Sequence, residues 1–292
     1  MQILAPAKLN LFLHITGRRS DQYHLLESVM AFTTFGDTLT MRPYHEFKLI
    51  LSGPFKDALS THVSENLIIR AANMLKEKYR IAGGAHIQLI KNIPVGAGLG
   101  GGSSDAAATL IGLNRLWKLN LTTIALSEIA LRLGADVPAC LYRQPLMATG
   151  IGEIISPVSI PCRASPVLLI YPNQSLSTPS VFQQFRNSAL PFSPGSKTNF
   201  FPQDWPTWVD FLQKRKNDLE APAIALLPII ATLVNALQSQ TRCQLARMTG
   251  SGSACFALFD DKIAAQSALI TMQKLFPGFW ITLTRIPWVY SR

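Results

Sequence analysis

Residues 94–108 read Pro-Val-Gly-Ala-Gly-Leu-Gly-Gly-Gly-Ser-Ser-Asp-Ala-Ala-Ala, with five glycines inside seven positions (Gly96, Gly98, Gly100, Gly101 and Gly102). Glycine loses more backbone entropy on ordering than any other residue, so such a cluster implies a task for the backbone itself. Wrapping an anion with peptide N–H groups is such a task, and a helix that opens directly afterwards adds the positive end of its dipole. Residues 96–104 therefore read as a phosphate cradle. Ser103 and Ser104 fall at the expected helix start, where their hydroxyls can cap the helix or reach phosphate oxygens or magnesium.

Three kinds of phosphate loop compete for this stretch. A P-loop needs Lys followed by Ser or Thr after its last glycine, and Gly102 is followed by Ser103, which excludes it. Gly96 to Gly101 matches the dinucleotide pattern G-x-G-x-x-G. However, Asn92-Ile93-Pro94 separate it from the strand-like run His86 to Ile90, and no acidic residue closes a second strand about 20 residues on. A kinase loop of the form P-x-x-x-G-L-G-S-S fits Pro94 to Ser104. A flexible linker does not, because linkers are not bounded by a strand and an amphipathic helix.

Four further patches hold reactive side chains. Lys8 and Asn10 lie two apart on an expected strand and so share a face, with Leu9, Leu11 and Leu13 on the other. Lys8 is either an edge-strand lysine or a cation facing a carboxylate or phosphate. Asp21-Gln22-Tyr23-His24 is a polar loop with two rings able to stack and hydrogen-bond. Asp136 lies between Gly134 and Pro138, which restrict its backbone; it is either a turn aspartate or a fixed catalytic carboxylate. Thr249-Gly250-Ser251-Gly252-Ser253-Ala254 is either a tight hairpin or a backbone surface that closes on a ligand.

The elements that must position these groups follow from periodicity and punctuation. Strands are expected on either side of a turn within Gln2–Ile15, over Leu39–Leu51, His86–Ile90, Val167–Tyr171 and Trp280–Thr284, and flanking the loop in Leu245–Phe259. Helices are expected from a Ser64 cap to Tyr79, with Leu67, Ala71, Met74 and Leu75 on one face. Others are expected from Ser104 to Trp117, from a Thr122 cap to Leu133 with Gly134 ending it, and over Trp208–Lys216, Ile224–Gln238 and Ala264–Leu275. Leu190 to Pro206 reads as a long surface loop. The fold class is α+β, in two domains at 1–158 and 159–292 packed about a cleft that holds the glycine loop.

Composition narrows the function classes. The 292 residues are 48% hydrophobic and 15% charged, which excludes disorder. The apolar run Ala221 to Val234 is broken by Pro222 and Pro228, so it reads as a core helix and no membrane partner is expected. No signal peptide is visible. The net charge of +10 comes from scattered residues; the one dense run, Lys214-Arg215-Lys216, reads as a solvated helix face. That favours small anionic substrates over nucleic acid. Cys140, Cys162, Cys243 and Cys255 lack metal-ligand spacing and read as buried free thiols of a reducing cytoplasm, and no metal-ligand cluster is expected.

The order of the motifs resembles the GHMP kinase superfamily, through Pro6–Asn10, Pro94–Ser104 and Thr249–Ser253. Within it, Ala5–Leu11, Tyr23-His24, the triple glycine before Ser103-Ser104-Asp105, Leu133–Pro138, Gly150–Glu153 and Asn217–Glu220 resemble the branch that phosphorylates a cytidyl-diphosphate methylerythritol. The resemblance covers nearly the whole chain. It implies an N-terminal ribosomal-protein-like domain, a C-terminal ferredoxin-like domain and an active site in the cleft between them. It implies transfer of the γ-phosphoryl of ATP, with Mg2+, to the 2-hydroxyl of that substrate in non-mevalonate isoprenoid biosynthesis. Lys8 and Asp136 are then the catalytic residues. Pro94, Val95, Gly96, Ala97, Gly98, Leu99, Gly100, Gly101, Gly102, Ser103 and Ser104 hold the nucleotide, with Asn66 and Leu67 at the adenine. Asn10, Tyr23, His24, Thr178 and Phe182 bind the acceptor, Tyr23 and Phe182 by stacking on cytosine and His24 at its edge. A monomer or weak homodimer is expected. The chain departs from the family at Gln22, where a glycine is usual, and slightly at Gly250-Ser251-Gly252-Ser253. Two rivals remain: another GHMP kinase such as a homoserine or mevalonate kinase, with no cytidine dependence, and a non-catalytic RNA-binding protein, which would need a basic surface in place of Lys8 and Asp136.

Overall fold

Three strands open the chain: β1 (Gln2–Asn10), β2 (His14–Arg18) and β3 (His24–Tyr44). The computed structural model describes residues 1–59, 66–159, 164–195 and 201–287. At 21 residues, β3 is far longer than the expected strand beginning at Leu39. Residues 27 to 33 are buried without interruption, so they carry no period-2 alternation to mark them as strand.

Contacts divide the chain into two units: Met1–Lys8, Phe35–Val95 and Gly100–Arg143 form the first, and Leu9–Thr34, Gly96–Leu99 and Gln144–Arg292 the second. In the first, β4 (Lys48–Ser52) runs parallel to β5 (Gly84–Ile90), and β5 pairs antiparallel with Thr38–Tyr44 of β3. Helices α1 (Leu67–Lys78), α2 (Gly101–Leu116), α3 (Thr123–Leu133) and α4 (Val137–Tyr142) complete it. The expected cap Ser64 lies outside the described residues; Asn66 caps α1, its Oδ1 accepting from the Ile68 N–H at 2.9 Å. The buried face of α1 is accordingly Ile68, Ala71, Ala72 and Leu75. Thr122 caps α3 as expected, accepting from the Ala125 N–H.

Beneath the glycine stretch the first unit holds a sealed ion cluster. Lys91 Nζ lies 2.5 Å from Asp37 Oδ2 and 2.7 Å from Asp105 Oδ2. The other Asp37 oxygen accepts from the Asn92 and Ile93 N–H groups. Lys91 and Asp37 lie before the glycines and Asp105 on the helix after them, so the cluster ties the two ends of the loop together. Burial opposes the charge on Lys91, and the two carboxylates outweigh it, holding its pKa above the ordinary value. Burial pushes Asp105 up, against the pull of Lys91.

In the second unit, β2 and β6 (Leu146–Thr149) pair with the His24–Met30 part of β3, and β7 (Ile154–Pro157) pairs with β6. After β8 (Ser165–Tyr171) come α5 (Thr178–Asn187), α6 (Trp205–Gln213), α7 (Glu220–Leu226) and α8 (Ile229–Gln238), then β9 (Cys243–Met248), β10 (Cys255–Phe259), α9 (Lys262–Leu275) and β11 (Trp280–Ile286). Sheet order β11-β8-β10-β9 is the antiparallel ferredoxin-like arrangement. Its core joins Leu168, Ile170, Leu233, Ala257, Phe259 and Met272.

The expected helix Ile224–Gln238 is two helices. Pro228 disfavours helical geometry at Leu227, which sits at φ −143° and ψ 86°. Lys214-Arg215-Lys216 is not a helix face: α6 ends at Gln213, and the Arg215 guanidinium lies 3.3 Å from the Phe211 ring centroid. Cys140 and Cys255 are buried and Cys243 half-buried, all three as free thiols; Cys162 lies outside the described residues, as does 196–200 of the expected surface loop. Among the described residues no helix is long and apolar enough to cross a membrane.

Lys91→Met leaves two carboxylates buried without their cation and lowers the unfolding free energy by about 3–5 kcal/mol at about pH 8. Burial then holds the Asp105 carboxyl above its unfolded value without the opposing pull of Lys91, so the folded state binds more protons and the deficit shrinks as pH falls towards about 5. Urea unfolding at both pH values measures it; an equal loss at both would refute the assignment.

Candidate active site

The glycine stretch alternates anchors with bare backbone. Pro94, Ala97 and Leu99 are buried, while Gly96, Gly98 and Gly100 take φ values of 71°, 78° and 66°. Val95 is exposed at the rim. Gly100 is the left-handed N-cap of α2, so the helix starts at Gly101. Gly101, Gly102 and Ser103 therefore belong to its first turn and not to the loop before it, as had been expected. Neither serine caps the helix through its side chain. Ser104 is 1% exposed, and its hydroxyl has no hydrogen-bond partner among the described residues. A buried polar atom at a helix N-terminus without a partner matches the need of a ligand's phosphate oxygen or a metal ion carried with it. Leu67, at the start of α1, lies 3.5 Å from where a Gly102 side chain would begin, so Leu67 adjoins this helix start.

Lys8 and Asp136 meet. Lys8 Nζ lies 3.0 Å from Asp136 Oδ2, the lysine side chain 4% exposed and the aspartate 39%. β1 supplies the lysine. The aspartate sits in helical geometry (φ −81°, ψ −16°) at the N-cap of α4, where it makes no side-chain capping bond. Gly134 does end α3, but at φ 163°, an extended conformation. A Gly100 side chain would start 3.1 Å from Lys8 Cβ, so the lysine packs directly beneath the cap of α2. Cation, helix N-terminus and half-open carboxylate thus share one place in the first unit.

The expected acceptor residues lie in the second unit. His24 is buried; its ring stacks on Phe182 at 5.1 Å and meets Phe185 edge-on at 5.8 Å. Burial lowers its pKa, and Arg18 and Arg186 lower it further, so the imidazole is neutral at neutral pH. Phe182 is half-buried and packs against the core. Tyr23 is 61% exposed. Asn10 is buried and donates from Nδ2 to Ser28 Oγ at 2.7 Å, while its backbone N–H donates to Thr249 Oγ1 at 3.0 Å. Thr178 opens α5, its hydroxyl 2.7 Å from that of Ser251.

The loop 249–253 is the part of the site that sequence reasoning noticed without assigning. It touches Gly96–Leu99 backbone to backbone: the Ala254 N–H donates to the Ala97 carbonyl at 3.0 Å, and a Cβ on Gly98 would lie 2.6 Å from the Thr249 oxygen and 2.7 Å from that of Gly252. The two small-residue loops are parts of one surface. Their shared glycine content was the visible signal. Among the described residues no group of three His, Cys, Asp or Glu side chains is placed to hold a metal ion.

With this geometry the relatives can be read. The GHMP kinase N-terminal domain family matches residues 66–144 and the GHMP kinase C-terminal family residues 203–278. A homoserine kinase structure from Cytophaga hutchinsonii has the same fold, with a TM-score of 0.72 over 98% of this chain and 94% of its own at 16% identity. The fold is the two-domain, mixed α+β fold of the GHMP kinases.

Likeness in sequence is narrower. The chain is 40% identical over 290 residues to the 4-diphosphocytidyl-2-C-methyl-D-erythritol kinase of a Chelativorans species, covering 98% of this chain and 96% of that one. A crystal structure of 4-(cytidine 5'-diphospho)-2C-methyl-D-erythritol kinase matches with a TM-score of 0.78 and 33% identity, over 98% and 99% of the two chains. The chain belongs to the GHMP kinases and, within them, to the 4-diphosphocytidyl-2-C-methyl-D-erythritol kinase family. It is an ATP-dependent small-molecule kinase.

Gly100→Val places a branched side chain at φ 66° and against Lys8, in a conformation that L residues rarely adopt. Affinity for a non-hydrolysable ATP analogue should be lost, as read by titration calorimetry; unchanged affinity would sink the cradle.

Proposed function

We propose that this kinase transfers the γ-phosphoryl of ATP to the 2-hydroxyl of 4-diphosphocytidyl-2-C-methyl-D-erythritol, giving the 2-phosphate and ADP in non-mevalonate isoprenoid biosynthesis. The observation that carries the reading is the Lys8–Asp136 pair at 3.0 Å, set at the N-terminus of α2 with the carboxylate half-open. Phosphoryl transfer demands positioning and charge neutralisation more than covalent help from the protein. Asp136 accepts the acceptor's hydroxyl proton as the new O–P bond forms and the bond to ADP breaks. Lys8 holds that carboxylate and offsets the negative charge of the transferring group.

Residues 94–104 hold the triphosphate, Gly96, Gly98 and Gly100 by bare backbone and Ser103 and Ser104 by hydroxyls; Asn66 and Leu67 line the adenine. Mg2+ bound with ATP would sit with the Ser104 hydroxyl and supply charge neutralisation on the phosphates. Asn10 orients the acceptor. Tyr23 and Phe182 offer ring faces to the cytosine, His24 its edge donor and acceptor, and Thr178 a hydroxyl. On this reading residues 1–158 form the nucleotide domain and 159–292 the second domain. A monomer or weak homodimer is the assembly of this reading, and the charged, water-soluble substrates suit the cytoplasm. ADP release from ATP, Mg2+ and the cytidyl substrate, run beside homoserine and mevalonate, tests the whole; turnover of either control in preference would overturn it.

Asp136→Asn keeps the pair's shape and removes the base. It should retain nucleotide affinity and lose turnover by about 10²-fold, the low end for general bases because the transition state is loose. Near-normal kcat would remove Asp136 from the mechanism.

His24→Ala should raise KM for the cytidyl substrate and weaken its preference over a uridine analogue, with ATP affinity unchanged, because a site built to hydrogen-bond its ligand discriminates through that pairing. The neutral imidazole binds, and its pKa is lowered below 6.5. In the unmutated enzyme KM for this substrate should therefore stay level from about pH 8 down to about 6.5 and rise only below that range. A rise beginning above it would mean that another group reads the base.

A further inference from the structure

Asn217-Asp218-Leu219-Glu220 has so far no part in the chemistry, yet it grips the loop at 249–253. Asn217 is 4% exposed. Its Nδ2 donates to the Met248 carbonyl at 2.9 Å and to the Gly250 carbonyl at 2.8 Å. Its Oδ1 accepts from the Leu219 N–H at 3.0 Å, so all three of these bonds fix the amide plane. Three residues on, the Glu220 carboxylate accepts the Met248 N–H at 2.8 Å. The segment is itself seated: Leu13 donates to the Lys216 carbonyl and accepts from the Asp218 N–H, and the Asp218 carboxylate accepts the Ile15 N–H at 2.7 Å.

We propose that Asn217 is a positioning residue for phosphoryl transfer: one amide spaces the carbonyls of Met248 and Gly250, and so sets the loop 249–253 and, through it, the glycine loop at Gly96–Leu99. The chain of contact is continuous. Asn217 holds Gly250; Thr249 and Gly252 abut Gly98; Ala254 bonds Ala97. The same loop takes the Asn10 N–H on Thr249 and the Thr178 hydroxyl on Ser251. A trans peptide carries its N–H opposite its carbonyl. Holding the Gly250 oxygen therefore turns the Ser251 N–H away from Asn217, towards the other side of the loop, as a donor suited to an oxyanion. An amide is required because a carboxylate has no proton to give either carbonyl, and a hydroxyl has only one. The role rests on the reading that the glycine loop holds the phosphates of ATP.

Asn217→Asp keeps the size and removes both donors. Leu237→Ala, a buried core change in the same unit, provides a loss of stability that touches neither loop. Both are compared with the unmutated enzyme well below their melting temperatures, by amide hydrogen exchange of segments 96–99 and 249–254, by affinity for a non-hydrolysable ATP analogue, and by steady-state kinetics. In Asn217→Asp both segments should exchange about tenfold faster or more, with KM for ATP raised to a similar degree; Leu237→Ala should show neither change. If Asn217→Asp fails to fold, Asn217→Ser, which keeps one donor, carries the same comparison. Exchange at 96–99 and KM no different from Leu237→Ala would overturn the proposal. Faster exchange at 96–99 with unchanged nucleotide affinity would overturn the nucleotide role of that loop, and the positioning role with it, while leaving the mechanical link between the loops.

Discussion

Bare backbone against bare backbone is the constraint from which the site follows. At Gly98 there is room for a hydrogen and nothing larger, because the carbonyls of Thr249 and Gly252 stand where a side chain would begin. A loop that offers the peptide groups of its glycines to an anion has side-chain anchors only between them, so much of its stiffness must come from neighbours. Ala97 and Leu99 sink into the core between the glycines, and the loop at 249–253 closes over the rest. Two stretches about 150 residues apart in the chain are in this way obliged to be rich in small residues together.

The two lysine clusters of the first unit show how burial sorts structure from chemistry. Lys91 is sealed between Asp37 and Asp105, the three side chains no more than 4% exposed. Such a cluster can join loop ends but cannot exchange a proton with a substrate. Lys8 is as deeply buried, yet its partner Asp136 is 39% exposed. One end of that pair is fixed by packing and the other is open, an asymmetry that suits the base and supporting cation proposed above.

Much of this was legible in the sequence. Motif order and the alternation of strands and helices in the second half needed only spacing and residue type, whereas the ferredoxin-like domain and the catalytic reading of Lys8 and Asp136 came from the resemblance to the GHMP kinases. What escaped is non-local or uninflected. The buried middle of β3 has no alternation to read, and the Lys91 cluster joins residues 37, 91 and 105, which nothing in the local sequence links. The break at Leu227 was written in Pro228, but the apolar periodicity on both sides masked it. The buried face of α1 is centred one position from the expected one because Leu67, Ile68, Ala72 and Met74 are all apolar, so periodicity alone does not separate the two faces. The role of Asn217 was hidden because its partners are backbone carbonyls, which have no signature in side-chain patterns.

Gln22 shows how the fold absorbs a departure from its family. A glycine is usual there, and the backbone shows why, with φ at 76°. A left-handed conformation costs a non-glycine residue about 1–2 kcal/mol. The turn offsets part of this with local bonds: the Gln22 N–H donates to the Arg19 carbonyl at 3.0 Å, and its side-chain amide folds back on the Ser20 carbonyl at 3.2 Å. The side chain is therefore turned towards the hairpin and away from the imidazole two residues on. His24 keeps its strand register opposite Arg18 and its stack on Phe182. The substitution burdens the turn and leaves the ring proposed to read the acceptor where the strand puts it.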